Sequence, residues 1–536
     1  MKTYSREQFV KDVTAGIIVA IIALPLSIAL ALASGVGPEA GIFTAIVAGF
    51  VISALGGSSV QIAGPTAAFA TIVAGIVAKN GLDGLVIATI LAGIFLILMG
   101  LCHFGTLIRF IPYTITTGFT AGIAVTIVIG QLKDFFGVTY PDGVKPIETM
   151  EKLHAFVENC GTVNLSAVIV GVVSLAILII SPYIFKKIPG SLLAVVAGIL
   201  MVKFLPLKAS TIGDLYSISN ALPGFHLPAL SLAAVKDAIP NAFTIAVLAA
   251  IESLLSCVVA DGMINGKHRS DMELVAQGAG NIASALFGGI PATGAIARTA
   301  ANIKNGGRTP IAGMVHSITL VLVLVVLMPY AGMIPMPTIA AILFVVAYNM
   351  CQWRPFAHLI QTAPKSDILV LLVTFFLTVV FDLVVAIEIG MLLTCLLFMK
   401  RMSDETHVDS WTYVDDDSDA VNDHMQKLAK EIRVYEITGP LFFGAANAIE
   451  HIIVKDFTKC LVLRMRSVPA LDSTAMNALQ NLVKYCEAKG ITPIFSHVNE
   501  QPMHVMEKAG FVELVGKDNF CANISDALKR AEELIK

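Results

Sequence analysis

Long apolar runs are the feature that most constrains how this chain folds. Runs of about 20 apolar residues, the length that crosses a bilayer as a helix, recur between Val13 and Met399. The chain has 536 residues, of which only 14% are charged, whereas a soluble globular protein carries about 25%. These observations predict an α-helical membrane protein with many spans. The density of charge rises after Lys400, which indicates a second, different part of the chain.

Fourteen membrane-spanning segments are predicted from these runs. Two of them, the third and the tenth, are too short to cross a bilayer as regular helices. The predicted segments cover residues 13–33, 38–56, 64–78, 82–101, 113–132, 164–182, 190–206, 240–260, 272–288, 292–302, 309–328, 337–352, 366–382 and 384–400.

The distribution of basic residues predicts how these segments are oriented. Six basic turns fall on the same side of the membrane as residues 1–12: Arg109, Lys186–Lys187, Lys267–Arg269, Lys304–Arg308, Arg354–Lys365 and Lys400–Arg401. The connection 134–160 on the other side is acidic. Because basic loops face the cytoplasm, we expect both ends of the chain to be cytoplasmic. We expect the protein to lie in the inner (cytoplasmic) membrane of the cell. The net charge of −3 argues against a nucleic-acid partner.

The two short segments predict where a ligand binds. The tenth segment is the seventh span after the third, so the second set of seven runs in the opposite direction to the first. Gly64-Pro65 and Ile290-Pro291 each interrupt regular backbone and start a helix. Interrupted segments at corresponding positions of two inverted halves point to a transport site at the bilayer midplane. Two helix N-termini that meet there favour an anion.

Backbone N–H groups and threonine hydroxyls are the predicted ligands of this anion. The candidates at the start of the third segment are Thr66, Ala67 and Phe69, and those at the start of the tenth are Thr293, Gly294 and Ala295. The alternative is that the small residues only allow close helix packing in lipid. Each stretch alone favours that alternative, and their inverted pairing favours a site. Phe69 is either an apolar wall of the site or a core residue, and Gln61 is expected to support the loop.

Two charged residues lie in apolar sequence close to the predicted site. Glu252 falls in the middle of the eighth span, where a charge is costly, so a neutral or paired carboxyl is expected. It is predicted to carry a proton, and the alternative is a fixed salt bridge with Arg298. Arg298 lies about 10 Å along a helix from Pro291 at 1.5 Å per residue. It either attracts the anion or neutralises Glu252, and the two roles are compatible.

The part of the chain after Lys400 predicts a small α/β domain. We expect a cytoplasmic N-terminus over 1–12, a transmembrane domain over 13–402, a linker over 403–428 and the α/β domain over 429–536. In the last of these, strands at 431–438, 460–468 and 491–497 alternate with helices at 441–454, 473–489, 501–509 and 524–535. No glycine-rich phosphate loop follows the strands. The eight cysteines form no CxxC pair, and no metal, cofactor or catalytic residue is predicted.

Several stretches resemble the SulP family of anion transporters, relatives of the animal sulfate permeases and prestin. They are QIAGPTAAFATIVAG at 61–75, the long run 250–303, the segment beginning at Ala33, and LDSTAMNAL at 471–479, which is similar to the STAS domain. The resemblance implies a seven-plus-seven inverted repeat, a core domain that moves against a gate domain, and a homodimer. It also implies a regulatory phosphosite at Ser473. A cytoplasmic partner that binds the STAS domain is a further expectation from the resemblance. The alternative at this turn is that Asp472 and Ser473 cap the next helix.

One departure from the family pattern bears on the coupling ion. Members that couple bicarbonate to sodium are similar to this chain but carry Asp, Thr and Thr where it has Glu252, Ser256 and Ile296. Sodium needs several oxygen ligands, and Ile296 supplies none. The sequence therefore predicts a secondary active transporter, not an enzyme, that carries sulfate or a similar small anion together with a proton. C4-dicarboxylates, bicarbonate and an uncoupled anion channel remain alternatives.

Overall fold

The chain folds into two compact units, Met1–Met391 and Leu392–Lys536. The computed structural model describes residues 5–106, 111–141, 144, 146–184, 189–205, 207–219, 221–228, 231–381, 383–410, 429, 431–450, 452 and 457–536. The predicted basic turns at Arg109 and Lys186–Lys187, and residues 411–428 of the predicted linker, lie outside the described residues.

The first unit is built from helices and one pair of very short strands. The helices are α1 (Arg6–Ala33), α2 (Pro38–Leu55), α3 (Ala70–Leu101), α4 (Tyr113–Phe136), α5 (Thr149–Glu158), α6 (Leu165–Ile184), α7 (Gly190–Phe204), α8 (Ile212–Leu215), α9 (Leu232–Ile264), α10 (Ser270–Leu286), α11 (Ile296–Lys304), α12 (Pro310–Ala331), α13 (Met336–Cys351), α14 (Trp353–Thr362), α15 (Lys365–Val380) and α16 (Leu383–Asp404), whose residues from Leu392 onward belong to the second unit. The strands are β1 (Ala63–Gly64) and β2 (Thr293–Gly294).

Each of the fourteen predicted segments overlaps one of these helices, and the third and fourth both lie in α3. Gly81 has a φ of 70° and interrupts α3, a conformation that glycine adopts without steric cost. The half of α3 before Gly81 is therefore as short as the sequence predicts. In the described part of the chain, 8 helices are long and apolar enough to cross a membrane, so the count of fourteen crossings stays a prediction.

The helices of the first unit pack in two groups. In one group, α3 packs on α9 and α10, while α2 packs on α10 and α12, and α1 on α12. In the other, α4 packs on α13 and α15, and α6 on α7 and α13. These groups correspond to the core and gate domains of the inverted repeat. Where α3 crosses α10, a side chain on Gly93 or Gly278 would overlap the carbonyl of the other, so glycine permits this close approach.

The second unit is a small α/β domain with a five-stranded sheet. Its strands are β3 (His407–Ser410), β4 (Ile432–Thr438), β5 (Cys460–Ser467), β6 (Thr492–Ser496) and β7 (Phe520–Cys521), and its helices α17 (Asn447–Glu450), α18 (Ser473–Ala488), α19 (Glu500–Lys508), α20 (Phe511–Val515) and α21 (Ile524–Ile535). The strands lie in chain order, with β3 antiparallel to β4 and all other neighbours parallel. Leu463 and Leu479 lie in the core on one face, and Ala527 packs on the other.

The predicted linker contains an element that sequence analysis did not anticipate. Residues 407–410 form β3, which pairs with β4 so that His407 lies opposite Thr438. An edge strand is specified by its partner, and β4 lies more than twenty residues further along the chain. The helix predicted over 441–454 is described only at Asn447–Glu450, because parts of that range lie outside the described residues. The domain boundary at 429 remains a prediction.

Candidate anion-binding site

The two interrupted stretches are joined directly by β1 and β2. The strands are antiparallel, with Ala63 opposite Gly294 and Gly64 opposite Thr293. The Ala295 N–H extends the pairing by donating to the Ile62 carbonyl at 3.0 Å. Directly after these strands the backbone turns helical, at a short 3₁₀ turn that leads into α3 on one side and at α11 on the other. The N-termini of two half-helices therefore begin at one place in the first unit.

Thr66 and Glu252 are brought together by this arrangement. The Thr66 hydroxyl donates to Oε2 of Glu252 at 2.9 Å, and both side chains are half-buried. This hydrogen bond joins α9 to the residue that precedes the 3₁₀ turn of α3. The sequence placed both residues near the anion but did not predict that they touch.

The predicted salt bridge between Glu252 and Arg298 is not formed. Nη2 of Arg298 instead donates to the Ser27 hydroxyl and to the Pro65 carbonyl, each at 3.2 Å. Sequence analysis placed both charges near the predicted site but could not show that the guanidinium extends toward α1. Within the described residues, Arg298 makes no ion pair.

Arg298 is buried, with 1% of its side chain exposed. Its Nε and Nη1 have no hydrogen-bond partner in the described part of the chain. The guanidinium lies directly against Gly64, where any side chain would overlap Nη1. Arg298 thus places a positive charge and the donors Nε and Nη1 beside the β1–β2 pair. Its Nη2 fixes the carbonyl of Pro65.

The hydroxyl of Thr293 is engaged with α9. Its Oγ1 lies 2.6 Å from the Ser253 hydroxyl and 3.2 Å from the Ala249 carbonyl. The Gly294 N–H donates to Ser253 at 3.0 Å. Together with the engaged Ala295 N–H, these bonds use three of the groups that the sequence assigns to the anion. The prediction that they bind an anion stays a prediction.

Directly after Ala295, the first turn of α11 offers free N–H groups. The first-turn N–H groups of a helix have no partner within the helix, and here they belong to Ile296, Ala297 and Arg298. The Ile296 side chain is 41% exposed. At the start of α3, Phe69 is fully buried and Ala67 nearly so, which leaves both predicted roles of Phe69 open.

A polar stripe on α10, which sequence analysis missed, holds the site together. Asn281 accepts the Ala292 N–H at 2.8 Å and donates to the Ala292 carbonyl at 2.9 Å. One turn further, the Ser284 hydroxyl donates to the Ile290 carbonyl at 2.8 Å. These bonds fix the backbone on both sides of Pro291. The signal was available, because Glu273, Gln277 and Asn281 recur every four residues and therefore lie on one face of a helix.

Glu273 anchors the other interrupted stretch. It is fully buried, and Oε2 accepts the N–H groups of Gly57 at 2.8 Å and Ser58 at 3.1 Å. Oε1 accepts the side-chain amides of Gln61 at 3.0 Å and Gln277 at 2.9 Å. Gln61 therefore supports the loop before β1, as the sequence predicts.

The turn before α18 in the second unit is capped by Asp472. Its carboxylate accepts the Ala475 N–H at 2.8 Å and the Phe443 N–H at 2.8 Å. Ser473 is the first residue of α18 and is exposed. The capping role belongs to Asp472, and phosphorylation of Ser473 remains a prediction.

Comparison with known proteins gives matches to both units. The sulfate permease family profile matches residues 9–374, and the STAS domain profile matches residues 426–527. A Bacillus subtilis protein named "Putative sulfate transporter YvdB" is 39% identical to this chain and covers 97% of each chain. The bicarbonate transporter BicA of a Picosynechococcus strain is 31% identical over 97% of this chain and 94% of its own.

A solved structure shares the fold across both units. The murine anion transporter Slc26a9 in its inward-facing state superposes with a TM-score of 0.89 and covers 99% of this chain and 93% of its own. The two sequences are 18% identical, so this likeness concerns the fold alone.

Proposed function

Because the chain belongs to the sulfate permease family of multi-pass membrane anion transporters, we propose that it carries sulfate or a similar small anion together with a proton. The observation that carries this proposal is the hydrogen bond between Thr66 and Glu252. It connects the only carboxyl at the centre of α9 with the residue that opens the α3 half-helix. A proton on Glu252 and an anion at that helix N-terminus would therefore occupy one site.

Electrostatics gives the physical reason for coupling. Two like charges about 5 Å apart repel by roughly 3 kcal/mol at an effective dielectric constant near 20. An ionised Glu252 would oppose anion binding by an amount of this order, and a protonated Glu252 would not. The anion then raises the affinity for the proton by the same factor as the proton raises the affinity for the anion. Movement of the core group against the gate group would expose the loaded site to either side.

The positive potential of the site comes from three sources. The N-termini of α3 and α11 carry partial positive charge and free N–H groups, and Arg298 adds a full charge behind them. Buried polar groups normally have a hydrogen-bond partner, and Nε and Nη1 of Arg298 have none within the described residues. A bound anion would supply the missing acceptor. Thr66, Ala67, Phe69, Thr293, Gly294 and Ala295 remain the proposed surroundings of the anion. The N–H groups of Ile296 and Ala297 are added to them.

Sulfate is the first candidate substrate and bicarbonate the second. The 39% identical relative is named for sulfate and the 31% identical relative for bicarbonate. Ile296 supplies no side-chain oxygen at a position where sodium-coupled members of the family carry Thr, which favours a proton over sodium for either anion. C4-dicarboxylates and an uncoupled channel are weaker alternatives. We further propose a homodimer in the cytoplasmic membrane, with the N-terminus and the STAS domain on the cytoplasmic side.

Uptake into proteoliposomes tests the proposal. Labelled sulfate, bicarbonate, fumarate and chloride are offered singly, with and without an inward proton gradient and with and without sodium. We expect sulfate to accumulate above its external concentration only when the proton gradient is present. Accumulation that requires sodium would overturn the proton assignment. Equilibration without accumulation would favour a channel.

A further inference from the structure

Two adjoining cavities follow the half of α3 that precedes Gly81. Their volumes are about 320 and 350 Å³, and Thr71, Thr126 and Ile147 line both. The second cavity also contacts Ala70, four residues after Thr66. We call this combined space between α3, α4 and the start of α5 the outer vestibule, because it lies on the side of the 134–160 connection. It reaches the first turn of α3, which follows the proposed anion site along the chain.

The outer vestibule carries an excess of one positive charge. Three lysines and two acidic residues line it: Lys79, Lys133, Lys152, Asp134 and Glu148. Glu151 lies close by but accepts the N–H groups of Ile147 at 3.0 Å and Glu148 at 3.2 Å. Through these two bonds the Glu151 carboxylate caps the start of α5, and the same bonds lower its pKa.

Lys152 differs from the other two lysines. Lys79 is exposed, and the ammonium of Lys133 lies 4.9 Å from the centre of the Tyr140 ring. Lys152 is half-buried. Burial lowers its pKa and the nearby charge of Glu151 offsets only part of this effect, because Lys152 makes no ion pair within the described residues. An ammonium that loses hydration without a carboxylate in contact is unfavourable, so an anion in the cavity would stabilise it.

Gln131 supplies neutral donors on the same cavity. It is buried on α4 and lines the second cavity together with Lys152. Its side-chain amide has no hydrogen-bond partner among the residues described. An amide offers two N–H donors, and small oxyanions accept several hydrogen bonds at once.

We propose that Lys152 and Gln131 form an entry site that holds the transported oxyanion before it reaches the start of α3. The inference rests on the proposed anion transport and assigns residues to an earlier step of it. A positively charged cleft raises the rate at which anions arrive, and this effect weakens as salt concentration rises. The entry site thus affects capture of the anion more than the maximal rate of transport.

Transport kinetics in proteoliposomes test the entry site. Lys152→Gln should raise the half-saturating sulfate concentration three- to tenfold at low ionic strength, leave the maximal rate within about twofold, and lose most of its effect in high concentrations of an impermeant salt. Lys208→Gln is the matched control, because Lys208 is exposed on the same side and does not line the vestibule. Equal half-saturating concentrations in the two variants would overturn the proposal.

A second measurement does not depend on transport. Thr71→Cys, at a half-buried residue that lines both cavities and leaves Lys152 in place, is combined with Cys160→Ser, which removes an exposed thiol from the 134–160 connection, and modification by a charged methanethiosulfonate reagent is timed. Saturating sulfate should slow modification at least threefold. An unchanged rate would refute the entry site. If the wild-type protein transports none of the anions, the proposed function itself fails, whereas normal wild-type transport with unaffected Lys152 variants removes the entry site alone.

Discussion

Glu252 combines a central position in α9 with a single side-chain hydrogen bond among the described residues, the one from Thr66. A residue that only stabilised the fold would be expected to have several partners, as Glu273 has with four donors. The carboxyls of Glu252 and Glu273 therefore differ in a way that suits different roles. Glu273 is saturated and holds a loop, while Glu252 keeps one bond that the arrival of an anion can alter.

Replacement of Glu252 by glutamine should separate anion binding from proton coupling. Glu252→Gln keeps the size and neutral charge of the protonated acid, so the anion is expected to bind and exchange across the membrane. Accumulation driven by a proton gradient should fall at least tenfold, because the side chain can no longer release a proton. Counterflow and gradient-driven uptake of labelled sulfate measure the two properties. Glu388→Gln, on an exposed residue of α16, is the control, and retained gradient-driven accumulation in Glu252→Gln would contradict the assignment.

Replacement of Glu273 by glutamine should reduce stability instead. An amide nitrogen would face either the N–H donors of Gly57 and Ser58 or the side-chain amides of Gln61 and Gln277, and two buried donors would lose their acceptor. A loss of this kind costs about 1–3 kcal/mol. The melting temperature of the purified protein in detergent should therefore fall by several degrees, while Glu388→Gln leaves it unchanged. An unaltered melting temperature would mean that these bonds contribute little.

At the scale of the elements, the β1–β2 pair is the structure that positions everything in the site. The sequence predicts that the two interrupted stretches meet, because the two halves are inverted, but it does not predict that they pair as strands. The direction of Arg298 does not follow, since a guanidinium on a half-helix can reach several neighbours and only packing selects Ser27 and Pro65. The α10 stripe follows from spacing alone, whereas pairing of β3 with β4 depends on residues distant along the chain.

Gly64 tests the contact between β1 and Arg298. A methyl group on Gly64 would overlap Nη1 of Arg298, and the flexible guanidinium would have to move. Gly64→Ala should therefore raise the half-saturating anion concentration by about tenfold or more with a small change in melting temperature. Gly262→Ala on α9 is the control, because a methyl group there would contact nothing within 4 Å. Equal kinetics in the two variants would indicate that the position of Arg298 is unimportant for the anion.

At the scale of the whole molecule, the proposed transport residues and the STAS domain lie in different units. Every residue from Thr66 to Arg298 that is assigned to the anion or the proton belongs to Met1–Met391, while Leu392–Lys536 has its own hydrophobic core. Because the site residues and the STAS domain belong to separately packed units, we expect the site to form without the STAS domain. The second unit would then modulate transport, through Ser473 or through a bound partner.

Truncation after Glu405 tests this division of roles, since it keeps α16 and removes the strands β3–β7. We expect the truncated protein to transport sulfate at an initial rate within about threefold of the full chain, with the same half-saturating concentration. The physical reason is that, in the described part of the chain, no side-chain hydrogen bond of Thr66, Glu252, Thr293 or Arg298 involves a residue beyond Arg298. The rate is measured in proteoliposomes, with the melting temperature as a check on folding. Loss of transport in a truncated protein that still melts cooperatively would show that the STAS domain takes part in the transport cycle itself.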